Sequence, residues 1–218
     1  MIEPKLGVGV YDMEQQQIEQ LCLRLRQRQM NGYYVQTQAE LLQLLDQLIV
    51  DHAVVGCGDS VTLEQLEVFS YLRRRNIRFL DKHQEGLHSM QKRQIYLQNF
   101  AADVFISGCN AISLEGEIFN VDGNGSRVAP MIYGPDKVIL IMGENKVVAN
   151  AEQALQRIRQ FAAVQDAQRL GKHTPCNITG QCHDCLSKER ICNSFVRIAH
   201  QFDAARMHVI VIAGAYGF

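Results

Sequence analysis

Two stretches of this 218-residue chain concentrate side chains able to bind or transform a small molecule. The first is SGCNAISLEGEIFNVDGNGSR, Ser107–Arg127. Asn110, Glu115, Glu117, Asn120, Asp122, Asn124 and Arg127 alternate there with Gly108, Gly116, Gly123 and Gly125. Polar groups on a glycine-rich frame suit a polyhydroxyl or carboxylate ligand. An arginine such as Arg127 can grip an anion with two parallel N–H donors. A carboxylate such as Glu115 or Asp122 can serve as acid, base or nucleophile. The plainer alternative is that Asp122 and Asn124 only form a turn, for which their short side chains are well suited.

The second stretch is TPCNITGQCHDCLSKERIC, Thr174–Cys192, in which Cys176, Cys182, Cys185 and Cys192 follow the pattern Cys-x5-Cys-x2-Cys-x6-Cys. Four soft sulfur donors on a polar segment that carries Pro175 and Gly180 can wrap around a metal. A [4Fe–4S] cluster or a tetrahedral zinc ion would each accept four thiolates. His173 and His183 are read as exposed loop residues.

A weaker signal is the turn Gly56-Cys57-Gly58-Asp59-Ser60 between a strand and a helix. Gly56 and Gly58 let the backbone approach a ligand, and Asp59, Ser60 and Thr62 add polar groups. With no third glycine it is not a dinucleotide fingerprint. Cys57 is read as a packing residue.

These stretches need a scaffold. Ile18, Leu21 and Leu25 give Ile18–Arg28 one apolar helical face. Thr37 with Glu40, and Thr62 with Gln65, read as capping boxes opening helices, the second spanning Leu63–Arg75. Ser89–Asn99, Ser126–Tyr133 and Ala151–Ala163 (capped by Asn150) read as further helices. Strands are expected at Tyr33–Val35, Ala53–Gly56, Ile77–Leu80, Val104–Ser107, Lys137–Met142 and Val209–Ala213. A hairpin turning at Glu115-Gly116 fits the apolar residues Ala111, Ile112, Ile118, Phe119 and Val121. Alternation of strand and helix predicts an α/β fold with a mostly parallel sheet and helices on both faces. Ligands of such sheets bind beyond the carboxyl ends of the strands, where Gly56–Ser60 and Gly108–Arg127 fall.

The bulk composition narrows the function. A net charge of −1 gives no electrostatic footprint for nucleic acid. No apolar run is long enough to span a bilayer, and the N-terminus lacks the pattern of a signal peptide. A cytoplasmic location is expected, where seven cysteines are not a disulfide scaffold.

The block SGCNAISLEGEIFNVDGNGSRVAPMIYGPDKVILIMGENKVV, with GCGDSVTLEQL before it and VIVIAGAYGF at the end, resembles the lactate utilisation (LUD domain) family over nearly the whole chain. The resemblance implies a single domain over 1–218, with 172–195 a cysteine-rich metal-binding insertion. It implies a fold like that of ribose-5-phosphate isomerase, glucosamine-6-phosphate deaminase and the CoA transferases. It places Gly56–Ser60 and Asn110–Arg127, with Gly123 and Gly125, at the edge of a pocket, and Asn145 and Lys146 at its far side. It implies a role in oxidation of L-lactate or a related organic acid beside iron–sulfur partner subunits, which favours [4Fe–4S] over zinc for the cysteines. The alternatives are a non-redox isomerase or CoA transferase using Glu115, Asp122 and Lys146 on a phosphorylated or CoA-type ligand, and an anion-binding scaffold. A homodimer is the expected assembly.

Overall fold

The computed structural model describes residues 15–218. Its first half runs α1 (Gln15–Gln27), β1 (Asn31–Val35), α2 (Gln38–Leu48), β2 (Val54–Cys57), α3 (Val61–Gln65), α4 (Val68–Arg74), β3 (Arg78–Leu80), α5 (Ser89–Gln98) and β4 (Val104–Gly108). The second half runs β5 (Ala111–Ser113), β6 (Ile118–Asp122), α6 (Val128–Ile132), β7 (Lys137–Gly143), β8 (Val147–Val148), α7 (Ala151–Arg157), α8 (Ala163–Arg169), α9 (Pro175–Thr179), β9 (Ser194–Ile198) and β10 (Met207–Ile212).

Six strands form one sheet in the order β1-β10-β7-β4-β2-β3, with every neighbouring pair parallel. Its central strands are apolar on both sides because both faces are covered. Ile106, Ile139, Ile141, Ile210 and Ile212 point to one core, sealed by α2, α3 and α4. Phe105, Val138, Leu140, Met142, Val209 and Val211 point to the other. There α1 supplies Ile18, Leu21 and Leu25, and a second sheet supplies Ile112, Ile118, Val147 and Ile198. This four-stranded sheet has the order β8-β5-β6-β9. The α/β architecture read from the sequence is the architecture of the molecule, with the second face shared between helix and a small mixed sheet.

The local differences have physical causes. The helix expected over Leu63–Arg75 is broken at Glu67, whose φ of 53° is left-handed, so α3 and α4 are separate. Ser60, not Thr62, caps α3 by accepting from Leu63 N. Thr62 is instead buried and turned to the site described below. Thr37 caps α2 as expected, while Glu40 accepts from Gln36 N, one residue before the cap. Asn150 caps α7 through Gln153 N. The run from α7 continues through a π-helical turn, Ile158–Ala162, into α8. Strand β9 was not read from the sequence: it pairs with β6 across a long separation, Ser194 opposite Asp122. The hairpin β5–β6 turns where expected, with Gly116 at φ 82°.

Candidate functional site

The carboxyl ends of β2, β4 and β7 open onto a cavity of about 300 Å³. Asp59 and Ser60 follow β2, Gly108, Cys109 and Asn110 close β4, and Lys146 follows β7. The turn after β6 contributes Asp122, Gly123, Asn124, Ser126 and Arg127. Ala162 and Ala163, at the π-helical turn, form the opposite wall with Asp166 and Arg169. A widened helical turn carrying two alanines leaves space that a regular turn with larger side chains would fill.

Arg127 is the internal brace of this site. Its Nη1 donates to Gly108 O (3.1 Å) and Asn120 Oδ1 (2.8 Å). Its Nη2 donates to Asn110 Oδ1 (2.8 Å) and Val121 O (2.7 Å). Its Nε lies 3.9 Å from the Asp122 carboxylate. Burial pulls the guanidinium below its ordinary range, and Asp122 opposes that pull. Four of its donor contacts are therefore spent on the ends of β4 and β6, and the two-pronged grip falls on protein oxygens. Asp122 accepts from the backbone N–H groups of Asn124 (3.1 Å), Gly125 (2.9 Å) and Arg127 (3.1 Å). These bonds fold Asp122–Arg127 into a tight turn, the role the plainer reading gave Asp122. Gly58 lies behind Arg127. A Cβ there would collide with Ser107 Oγ and stand 2.7 Å from Arg127 Cγ.

Lys146 is buried and faces the same cavity. Its Nζ donates to Thr62 Oγ1 (2.8 Å) and Cys109 O (3.1 Å). Thr62 in turn donates to Tyr216 O (3.0 Å). Among the described residues no carboxylate pairs with Lys146. Burial, aided by the nearby Arg157 and Arg127 cations, brings its ammonium down from 10.5 to about 7. Arg157 is also buried, down to about 10, and donates to Asn145 O (3.1 Å) and Asn110 O (2.6 Å). It thereby ties the start of β5 to the turn that carries Lys146. Asn145 lies behind Lys146, holding the C-terminal strap through Tyr216 N (3.2 Å) and Gly217 O (3.2 Å).

At the mouth, Asp59 pairs with Lys82 (2.9 Å). Burial would raise the Asp59 carboxyl, but Lys82 and His83 hold it below the ordinary carboxylate range. Lys82 also lies over the Tyr96 ring.

The structure thus gathers Asp59, Ser60, Asn110, Asp122, Gly123, Asn124, Arg127 and Lys146 around one cavity. Gly58, Thr62, Asn120 and Asn145 stand behind it, and Gly125 completes the Asp122 turn. Gly56 packs against buried Asn99 instead. Glu115 does not line the cavity: it sits exposed at the far end of the hairpin, where Arg28 bonds its carbonyl. Glu117 is buried against Arg28 and Arg197 at that same end. Sequence reasoning missed Arg157, Lys82, Tyr96 and the strap through Phe218. Only the three-dimensional fold brings them to the site.

The cysteine segment lies against the cavity. Ile191 lines it, and Asn193 holds the Asp122 turn by donating from N to Asp122 O (3.1 Å) and from Nδ2 to Gly123 O (3.0 Å). Cys176, Cys182, Cys185 and Cys192 are free and partly buried. Arg190 bonds the carbonyls of Cys185 (2.6 Å) and Cys192 (3.0 Å), folding that part of the segment around itself. The Cys192 thiol is pushed up by burial, with Arg190 opposing the rise. Among the described residues, no group of three or more His, Cys, Asp or Glu side chains is gathered to hold a metal ion. Four soft donors on one short segment are the donor chemistry that a cluster or zinc would need.

The model of the LUD domain matches residues 18–212, nearly all of the chain. The chain belongs to the LUD-domain family. A crystal structure of a DUF162 family protein from Deinococcus radiodurans is similar in fold, with a TM-score of 0.51 at 14% identity over 91% of this chain and 97% of that one. Ribose 5-phosphate isomerase from Plasmodium falciparum gives a TM-score of 0.33 at 12% identity, over 59% of this chain and 66% of that one. Ribose 5-phosphate isomerase A from Neisseria gonorrhoeae gives 0.32 at 15% identity, over 62% and 63%. No curated protein matches. Within this LUD domain, the family match covers both the hairpin and the cysteine segment. Among its described residues no helix is long and apolar enough to cross a membrane.

Proposed function

We propose that this LUD-domain protein binds a small organic acid in the cavity beside Lys146 and works in the oxidation of L-lactate or a related acid, as a redox-linked subunit. One observation carries the reading: Lys146 and Arg157 are buried cations with no carboxylate partner among the described residues. An uncompensated buried cation is costly, and an anion in the cavity would offset that cost. Lys146 lines the cavity itself, and Arg157 stands behind it on Asn145 and Asn110. The volume, about 300 Å³, is at the low end for ligand pockets and favours a small acid over a CoA ester. Ser60 and Asn110 add polar groups at the wall. The family resemblance of the sequence supplies the lactate setting.

In this reading Cys176, Cys182, Cys185 and Cys192 would hold a [4Fe–4S] cluster, with zinc the alternative. A bound cluster supplies one-electron transfer. The chain's own part is to place that segment against the cavity wall through Ile191 and Asn193. A cytoplasmic homodimer working beside iron–sulfur partner subunits completes the proposal.

Protein purified without oxygen tests both halves. Absorbance near about 400 nm with bound iron supports the cluster, whereas a colourless protein with stoichiometric zinc overturns it. In thermal unfolding, L-lactate or pyruvate at saturating concentration should raise Tm by about 5 °C, as expected for a ligand well above its Kd. Acetyl-CoA or ribose 5-phosphate should not. Stabilisation by acetyl-CoA alone would favour the transferase reading and sink this one.

A further inference from the structure

Lys146 has a feature that binding alone does not require. A lysine that only holds an anion needs no fixed direction for its remaining position. Lys146 is instead enclosed, flanked by two guanidinium groups and fixed from two sides. Thr62 Oγ1 spends its own proton on Tyr216 O, so it can only accept from Lys146. Cys109 O can likewise only accept. These two acceptors take two of the three tetrahedral positions on Nζ, and Lys146 meets the cavity with what remains. In the ammonium that third position is a proton; in the free amine it is the lone pair.

We propose that Lys146 is a nucleophile that forms an imine with the carbonyl carbon of a 2-oxo acid held in this cavity. The inference rests on the small-acid reading above and names the oxo form as the species captured. The lone pair adds to the carbonyl carbon, the C=O π bond passes to oxygen, and a carbinolamine results. Loss of water then gives the C=N bond, with both amine hydrogens leaving on the former carbonyl oxygen. No oxidant or reductant is consumed. Burial and the Arg157 and Arg127 charges hold the amine near neutrality, with its pKa about 7, so a large share is unprotonated at physiological pH. The same guanidinium charges remain to balance the carboxylate once the amine is neutral.

The arrangement also limits the partner. Asn110 Oδ1 is occupied by Val121 N and Arg127, which leaves its Nδ2 without a partner among the described residues. That amide, with the Ser60 hydroxyl, can meet a carboxylate one bond from the reacting carbon. A 2-hydroxy acid has no carbonyl and can bind but not react.

The test is reductive trapping on the full-length protein with pyruvate and cyanoborohydride, read by intact mass and peptide mapping. The expected adduct is pyruvic acid less one oxygen atom, on Lys146, forming about tenfold faster than on any other lysine. L-lactate should give no adduct and should slow trapping by competition. Lys146→Met should lose the adduct; Lys146→Arg, which keeps a cation, should lose it too. Thermal shift with pyruvate separates the two claims. Stabilisation by pyruvate without a Lys146 adduct overturns the imine and leaves the small-acid reading standing. Neither stabilisation nor adduct overturns both. An adduct spread over surface lysines, or persisting in Lys146→Met, also overturns the imine.

Discussion

At the scale of single residues, the site depends on how two cations are treated differently. Arg127 satisfies itself on the ends of β4 and β6, so it shapes the pocket. Lys146 is left with two neutral oxygens and a depressed pKa of about 7. That shift has a consequence for stability. An unfolded lysine keeps its proton to about pH 10.4, so between about pH 7 and pH 10 the unfolded chain binds more protons than the folded one. Stability must then rise with pH through that window, while below it the full cost of the buried charge persists. Each pH unit within the window is worth about 1.4 kcal/mol from this group. Denaturant unfolding of the wild type should therefore gain about 2 kcal/mol between about pH 7 and pH 9 that Lys146→Met does not gain. Overlapping profiles would show that Lys146 is not buried as a cation. The groups facing it are Arg157, Arg127 and Cys109, of which Arg157 stays charged across this range, with its pKa about 10.

At the scale of elements, the β5–β6 hairpin has two ends with different work. One end carries Asn110 and the Asp122 turn; the other carries Glu115. Gly58→Ala places a methyl against Ser107 and Arg127, and should cost about 1–3 kcal/mol while weakening ligand stabilisation. Glu115→Gln should leave both stability and ligand binding within error of wild type, because its side chain is exposed and distant. Denaturant midpoints and ligand-induced Tm shifts read both; lost ligand binding in Glu115→Gln would restore it to the site. The sequence made the hairpin legible because apolar residues flank a Glu-Gly turn. It did not show which end met the ligand, since glycine-framed polar residues occur at both. The central strands were legible for a different reason: strands buried on both faces are continuous apolar runs, as in Lys137–Gly143. Strand β9 offered only a short alternation, Ser194, Val196 and Ile198 inward against Phe195 and Arg197 outward. Its place depends on pairing with β6, which no local pattern encodes.

At the scale of the whole molecule, two features that lie far apart in the chain become one wall. The segment that holds Cys176 to Cys192 ends in Ile191, Asn193 and β9, and these press it onto the Asp122 turn and β6. Composition alone gave two separate motifs; the fold makes them neighbours. Lys146 was legible through the family resemblance alone, and Arg157 not at all, because it lies on α7, whose sequence reads as an ordinary helix. The central claim is that the cavity holds a small carboxylate. Its most direct test is a crystal structure of the protein with oxamate, an unreactive analogue of a 2-oxo acid. The account predicts the carboxylate within hydrogen-bond reach of Lys146 Nζ, between the Asp122 turn and Ala162. A cavity that stays empty of oxamate, with the anion bound elsewhere or not at all, would contradict it.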